Sequence, residues 1–433
     1  MKTGAGSFNR KLILFVVLIL VLGAGIVAGI ILDRQVLTVF NPLKNIPSHA
    51  TSDFALMAEA WNTIEKFYVD RPAVEPRQLA YGSISGMVNA LGDTGHSTFL
   101  TPKMQKEEND FVKGRFKGIG AEIRKKDGHV VIVAPFDESP AQKAGLRPGD
   151  IILKVDGKEI SPLSLSKVVE LISGPAGTKV TLTIFTSVTS RLREVTIIRA
   201  EITLHNVTWH RLPGTKIAHV RIASFSQEVT GDLRKVLLEI RKQKLDGLIL
   251  DLRNNPGGLL DQAIGTASQF LTTGNVLLEK NSRGKIKPIA VEPGGVAPKI
   301  PVTCLINEGS ASASEIVAGA LKDAHRAVLV GKTTFGTGTV LKEFSLSDGS
   351  SLLLAVQEWL TPGKYTIWHN GIKPDVVVDL PLNVTPLLPM AEEEITAGQL
   401  EASEDNQLQR ALSLLTQMLD KPDTTLNEMT PKK

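Results

Sequence analysis

The sequence predicts an α/β protein whose layered core, built on a largely parallel sheet, is interrupted by a smaller domain of short strands and preceded by helices. Three observations carry that prediction. Beyond Ile202, apolar strand-like runs alternate with helical periodicity: "KIAHVRIASF", a helix over Gly231–Gln243, "DGLILDLR", a helix after "NNPGG", "PVTCLIN", another helix, then "RAVLVG". Such alternation builds a parallel sheet flanked by helices. Between Phe116 and Glu201 the period shortens to strands punctuated by Asp-Gly and Gly-Pro turns. Before both, Phe54, Met57, Trp61, Ile64 and Phe67 recur at three and four, one face of a helix, and a second helix is expected over Pro76–Leu91. A chain of 433 residues needs more than one domain, and 42% hydrophobic with 22% charged residues is enough apolar content for a core.

Leu12–Leu32 carries no charge over a length that crosses the apolar part of a bilayer, and Lys2, Arg10 and Lys11 precede it. The run exceeds a signal-peptide core, so the expectation is a signal anchor with the body outside the cytoplasm; a cleaved signal peptide is the alternative. The far end, after Asn383, is acidic and then helical over Asn406–Leu419, and is expected to be peripheral. A net charge of +4, spread without a basic stripe, argues against nucleic acid. Cys304 is the single cysteine, so no intramolecular disulfide forms, and its apolar run suits a buried thiol. The eight histidines show no metal-ligand spacing, and "VGKTT" has Arg326 where a phosphate-binding loop needs its first glycine. No metal and no cofactor are expected.

"GIGAEIRKKDGHVVIVAPF" reads as two strands joined at Asp127-Gly128, and "SPAQKAGLRPGDIIL" as a short helix, a turn and a strand. These phrases resemble a PDZ domain. The resemblance implies that Gly118, Ile119, Gly120 and Ala121 offer backbone N–H groups to a peptide's terminal carboxylate, beside a strand edge that accepts the peptide.

"EGSASASEIVAGAL" crowds three serines at a helix start, and "DLRNNPGG" runs a strand into a Gly-Gly turn whose amides are free to face an oxyanion. Together with "TTFGTGTVL" and "LSDGSSLLLAVQEWLTPGKYTIWHNGIKPD", these phrases resemble the carboxyl-terminal processing (tail-specific) serine proteases, with their crotonase-like layered core and inserted PDZ domain. The resemblance covers residues 53–379. It implies that Ser312 is the nucleophile, that Ala313 and either Gly257 or Gly258 form the oxyanion hole, and that Ser310 and Ser314 cap and pack. Hydropathy and periodicity together with the resemblance divide the chain into the segments 1–11 (cytoplasmic), 12–32 (transmembrane anchor), 53–112 (helical), 116–201 (PDZ), 202–382 (peptidase core) and 383–433 (partly helical tail).

The family's base is a lysine between the two glycines of "TFGTGTVL", oriented by a glutamine four residues on. Here those positions hold Thr337 and Leu341. Three explanations follow: an inactive tail-binding adaptor, a borrowed Lys332 or Lys342, or a histidine base. "LGDTGHSTFL" resembles the Asp-x-x-His-Ser/Thr element of the tricorn-like branch, which implies His96 as general base. Glu358 would support it directly, through Ser97 or through water. His369 is a rival whose turn-like setting suits a substrate groove. The sequence thus reads as a membrane-anchored serine peptidase acting on exported proteins with apolar C-terminal tails, and leaves homo-oligomerisation open.

Overall fold

Strands buried on both faces read as near-continuous apolar runs rather than alternating ones, and the core strands do so apart from His219, Arg221, Asp251 and Thr303. In the computed structural model, which describes residues 46–93, 97–106, 115–126, 128–161, 163, 165–186, 190–203, 206–381 and 384–420, every residue of β11 (Ile217–Ile222), β12 (Gly247–Asp251), β15 (Val302–Ile306) and β16 (Val328–Gly331) is buried. They form a six-stranded sheet in the order β10-β11-β12-β15-β16-β19, with β10 spanning Val207–Arg211 and β19 spanning Val376–Val377. All pairings are parallel except β10 with β11.

The chain divides into two compact units, residues 1–80 and 81–433. In the first, helix α1 (Thr51–Phe67) forms as the period predicts, but none of its residues is buried. Helix α2 (Pro76–Asn89) begins there and runs into the second unit. The expected span Leu12–Leu32 lies outside the described residues, as does His96. Among the described residues no helix is long and apolar enough to cross a membrane.

In the second unit, β1 (Thr98–Leu100) is followed by the inserted domain. Strands β2 (Arg115–Gly118) and β9 (Ala200–Thr203) pair antiparallel as its stem, so the chain enters and leaves side by side. Between them, β3 (Ala121–Lys126), β4 (His129–Pro135), β5 (Asp150–Val155), β7 (Lys179–Thr186) and β8 (Arg191–Ile198) line up in that order, with β6 (Lys158–Glu159) paired to β5. Helices α3 (Pro140–Lys143) and α4 (Leu165–Ile172) complete it. Its own core includes Ile132, Ile152, Val168, Leu182 and Ile184. Strand β3 is one edge of this sheet and β8 the other.

Helices α5 (Val229–Lys242), α6 (Leu260–Phe270) and α7 (Ala313–Asp323) cover one face of the six-stranded sheet, where Val220, Leu248, Leu250 and Cys304 meet Leu237, Phe270 and Val317. Burial pushes the Cys304 thiol pKa far up, as an inert core thiol requires. Sequence periodicity did not separate out a second, antiparallel sheet, in which β1, β18 (Ser351–Leu360), β13 (Asn275–Asn281) and β14 (Ile286–Ala290) follow in order and β17 (Thr339–Ser345) pairs with β18. Trp359 carries this sheet onto the same apolar cluster as α7.

The expectation of a peripheral C-terminal end is overturned. Beyond α8 (Pro389–Glu392) and α9 (Ala397–Glu401), helix α10 (Asn406–Asp420) buries Leu408, Ala411, Leu414 and Leu415 against Ile249, Leu305, Val328 and Val330, the sheet's other face. A sheet buried on both faces needs this cover, and the acidic stretch before α10 conceals it in sequence.

Charge is buried beneath the same strands. His219 of β11 is fully buried between Glu392 (Nδ1 to Oε1, 2.6 Å) and Asp251 (Nε2 to Oδ2, 3.2 Å). Burial alone would lower its pKa, but the two carboxylates outweigh it and raise it to about 9. A raised histidine stabilises the fold fully below its unfolded pKa of 6.5 and loses that contribution as pH rises through 9. Urea unfolding should therefore show stability falling between pH 6.5 and 9, by on the order of 3 kcal/mol, and the decline should disappear in His219→Gln. An equal decline in both proteins would refute the charged imidazolium.

Candidate active site

Strand β15 delivers the serine-rich loop to the end of the sheet, and the two outer serines hold it there. Ser310 donates to the Leu252 carbonyl (2.7 Å) and accepts from the Asn307 amide (3.0 Å). Ser314 donates to the Asn255 carbonyl (2.8 Å). Both are fully buried and pack as expected, pinning the loop to the "DLRNNPGG" segment, but the capping expected of them falls to Ser312. Ser312 differs from them. It is half-buried, sits at the N-cap of α7, and adopts φ 54° and ψ −115°. A positive φ in a non-glycine residue is strained and persists where the surroundings impose it. Ser312 is thus both helix cap and presented hydroxyl.

The glycine pair is required by space. A Cβ on Gly257 (φ 104°) would stand 2.6 Å from the Ser312 Cβ and 2.8 Å from the Ala311 carbonyl oxygen. One on Gly258 (φ 138°) would stand 2.3 Å from the Phe225 carbonyl oxygen. The Phe225 amide donates to Gly257 and the Phe225 carbonyl accepts from Leu259, so the extension of β11 grips the turn from both sides. The two amides have different fates. Gly257 N–H donates to Asn255 Oδ1 (2.9 Å), whereas no acceptor among the described residues takes the Gly258 or Ala313 amide. The geometry therefore favours Gly258 over Gly257 as partner to Ala313 for a developing oxyanion.

Sequence reasoning missed the group that assembles the site. Glu315 is fully buried, and its carboxylate accepts from four donors: the amides of Ser312 (2.8 Å), Thr337 (2.8 Å) and Gly336 (2.7 Å), and the Thr334 hydroxyl (2.5 Å). Burial raises its pKa, and the donated hydrogen bonds work against that rise. The Ser312 and Thr337 amides share one oxygen, Oε2, so Thr337 stands beside the serine, where the resemblance places a lysine. Its hydroxyl is buried and without a hydrogen-bond partner among the described residues. The missed signal was the Ser-x-x-Glu spacing of Ser312 and Glu315, a helix-capping pattern.

The rival bases have settings of their own. Lys332 is held between Glu308 (3.1 Å) and Asp379 (2.9 Å), which raise its pKa. Lys342 is exposed, over the Phe344 ring. His369 is exposed at φ 62° and stacks on Trp368. Glu358 pairs with Lys280 (3.1 Å), and on its strand it alternates with Trp359, which faces the core containing α7. Ser97, next to the expected base His96, accepts from the Ala355 amide of the same strand (2.9 Å).

The inserted domain meets this site closely. Gly118–Ala121 form the turn into its edge strand: Gly120 has φ 79°, and a Cβ there would stand 2.4 Å from Ser139. The Ile119 and Gly120 carbonyls accept from Ala141 and Phe136. Asp137 takes both arms of the buried Arg221 guanidinium (2.9 and 3.0 Å), and Arg221 also reaches the carbonyls of Asp251 and Arg253 that lead to the glycine turn.

Comparison with known proteins agrees with this geometry. The model of Peptidase family S41 matches residues 216–378, and that of the PDZ domain matches residues 131–184. A probable CtpA-like serine protease of Staphylococcus aureus (strain COL) is 39% identical over 315 residues, 71% of this chain and 62% of the relative, so the chain spans less than two thirds of that protein's length. The corresponding protein of Staphylococcus epidermidis (strain ATCC 12228 / FDA PCI 1200) is 34% identical over 373 residues, 83% of this chain and 74% of the relative. Among solved structures, the photosystem II D1 C-terminal processing protease superposes with a TM-score of 0.64 at 30% identity, covering 77% of this chain and 95% of that one. With an S41 core, a PDZ domain inserted on a two-stranded stem, and a serine presented at the expected helix start, the chain belongs to peptidase family S41, among the CtpA-like carboxyl-terminal processing proteases.

Proposed function

We propose that this chain is a membrane-anchored serine endopeptidase that recognises apolar C-terminal tails of exported proteins through its PDZ domain and cleaves them by acyl transfer. The observation that carries the reading is Ser312 itself, forced to positive φ at the start of α7 beside the Gly258 and Ala313 amides, which no acceptor among the described residues takes. Ser312 attacks the scissile carbonyl, those amides hold the oxyanion, and water releases the acyl-enzyme. The edge position of β3 supports tail capture by strand addition. The uncharged Leu12–Leu32 run supports anchoring in the cell membrane with the catalytic body outside.

For the base, the proposal is His96, with Glu358 as its carboxylate support. The placement of Ser97 against β18 and the ion-paired position of Lys332 favour this route over a borrowed lysine. A fluorophosphonate probe is expected to label the protein and not Ser312→Ala. His96→Ala should abolish cleavage of an unfolded, apolar-tailed substrate while leaving tail binding intact. Cleavage that survives His96→Ala but is lost in Lys332→Ala or Lys342→Ala would overturn the base assignment.

A second reading, a tail-binding adaptor without proteolysis, is favoured by one observation: Thr337 occupies the lysine position with a buried hydroxyl that engages nothing among the described residues. A probe that fails to label folded protein would select it.

A further inference from the structure

From the geometry beside Ser312 we infer that Trp368 and His369 form a side-chain subsite of the peptide groove, one that selects a large apolar residue near the scissile bond. The inference rests on the peptide-groove reading above and names a specificity determinant within it. The two rings stack, with centroids 4.6 Å apart and planes at 25°. Trp368 is half-buried and His369 exposed, so the pair offers a flat aromatic surface at the protein's exterior.

Its position follows from a short chain of contacts. The Ser312 and Gly336 amides both donate to the Glu315 carboxylate. The Gly336 carbonyl in turn accepts from the His369 amide (3.0 Å). Gly338 lies so close to the same turn that a Cβ on it would stand 2.1 Å from the Trp368 nitrogen. The aromatic pair therefore sits directly on the loop flanking Thr337, which stands beside Ser312. An extended peptide advances about 3.3 Å per residue, so the pair lies within reach of a side chain roughly two or three positions from the scissile bond.

The turn is also built to hold its rings still. Ile367 and Ile372 anchor it in the core on either side, the Ile372 amide donates to the Thr334 hydroxyl (2.6 Å), and the Gly371 amide donates to Ile367 (2.8 Å). His369 keeps φ 62°, a conformation in which glycine would be unstrained, at an exposed position where folding needs no imidazole. The indole Nε1 of Trp368 is buried without a partner among the described residues, so the ring is not held by a hydrogen bond of its own. Neither ring supplies charge to the clamp around Glu315. What they share is an aromatic surface, which fits a Phe or Leu side chain.

The test uses the full chain and C-terminally amidated peptides, which cannot occupy a carboxylate-binding PDZ turn, with Phe, Leu or Ala scanned through each position around the cleaved bond. The parent should prefer Phe and Leu over Ala at one position. In His369→Gly, which removes the ring yet suits the backbone, and in Trp368→Ala, that preference should shrink about tenfold in kcat/KM, the scale of one apolar contact. The same scan, read as equilibrium binding to Ser312→Ala protein, reports the preference even if no peptide is cut. Absent cleavage and absent fluorophosphonate labelling would count against the hydrolase reading, whereas a selectivity ratio equal to the parent's in both variants and both readouts would overturn the subsite.

Discussion

On the proposed reading, Glu315→Gln is expected to lower turnover by about a hundred- to a thousandfold while leaving tail binding at the PDZ domain unchanged. The carboxylate accepts four hydrogen bonds, three from amides and one from a hydroxyl, and gives none. An amide of the same shape keeps one acceptor oxygen and turns an NH2 toward groups that are themselves donors. At least one buried N–H then loses its partner, at about 1–3 kcal/mol: the Gly336 amide if the NH2 takes the Oε1 site, or the Ser312 and Thr337 amides if it takes the Oε2 site, and either loosens the loop that Glu315 ties to Ser312. Moving Ser312 also moves Ala313 N–H, and loss of a single oxyanion donor in serine peptidases lowers kcat by about 10²–10³. Steady-state cleavage and the rate of fluorophosphonate labelling measure the effect, with tail binding as the control for folding. Turnover within a few-fold of the parent would mean that Glu315 is only a helix cap.

What was legible in the sequence divides along a physical line. Groups that act through their own short segment were readable. The strand-to-turn run Leu248–Leu260 and the serines at 310, 312 and 314 stand where linear order puts them, because a βα unit fixes a loop at the end of its strand. The PDZ turn at Asp156-Gly157 was readable for the same reason. Groups whose role depends on distant partners were not. Glu315 looked like part of an apolar helix until Thr334, Gly336 and Thr337 closed around it. The choice between Gly257 and Gly258 depends on where the Asn255 side chain points, which no spacing reveals. The second sheet escaped notice because its five strands come from three separate stretches of chain, and the pairings that join those stretches are antiparallel over long separations.

The C-terminal segment shows the same division with the largest consequence for stability, and Arg253→Leu is expected to destabilise the fold by about 3–5 kcal/mol. Arg253 is 1% exposed and joins two carboxylates that are equally buried. It contacts Asp251 through Nε and Nη2 (2.7 Å at the shortest) and Asp405 through Nη1 (2.8 and 2.9 Å). Burial opposes all three charges, but mutual attraction prevails, holding the Asp251 carboxyl far below the usual range and the guanidinium well above its own. Leucine matches the apolar surroundings but leaves the buried Asp405 carboxylate with amide donors alone, while Asp251 keeps only His219 and Arg221 as cationic neighbours. Asp405 also accepts the Leu387 and Leu408 amides, and so ties down the chain before α10 as well as the start of that helix. The segment that reads as a tail is therefore fastened to the strand that leads into the glycine turn. Thermal and urea unfolding of Arg253→Leu, Asp405→Leu and the double variant measure the coupling. The double variant should be less destabilised than the sum of the singles, since removing both partners no longer leaves one of them unpaired. Additive losses below about 1 kcal/mol each would show instead that α10 is held by its apolar face alone.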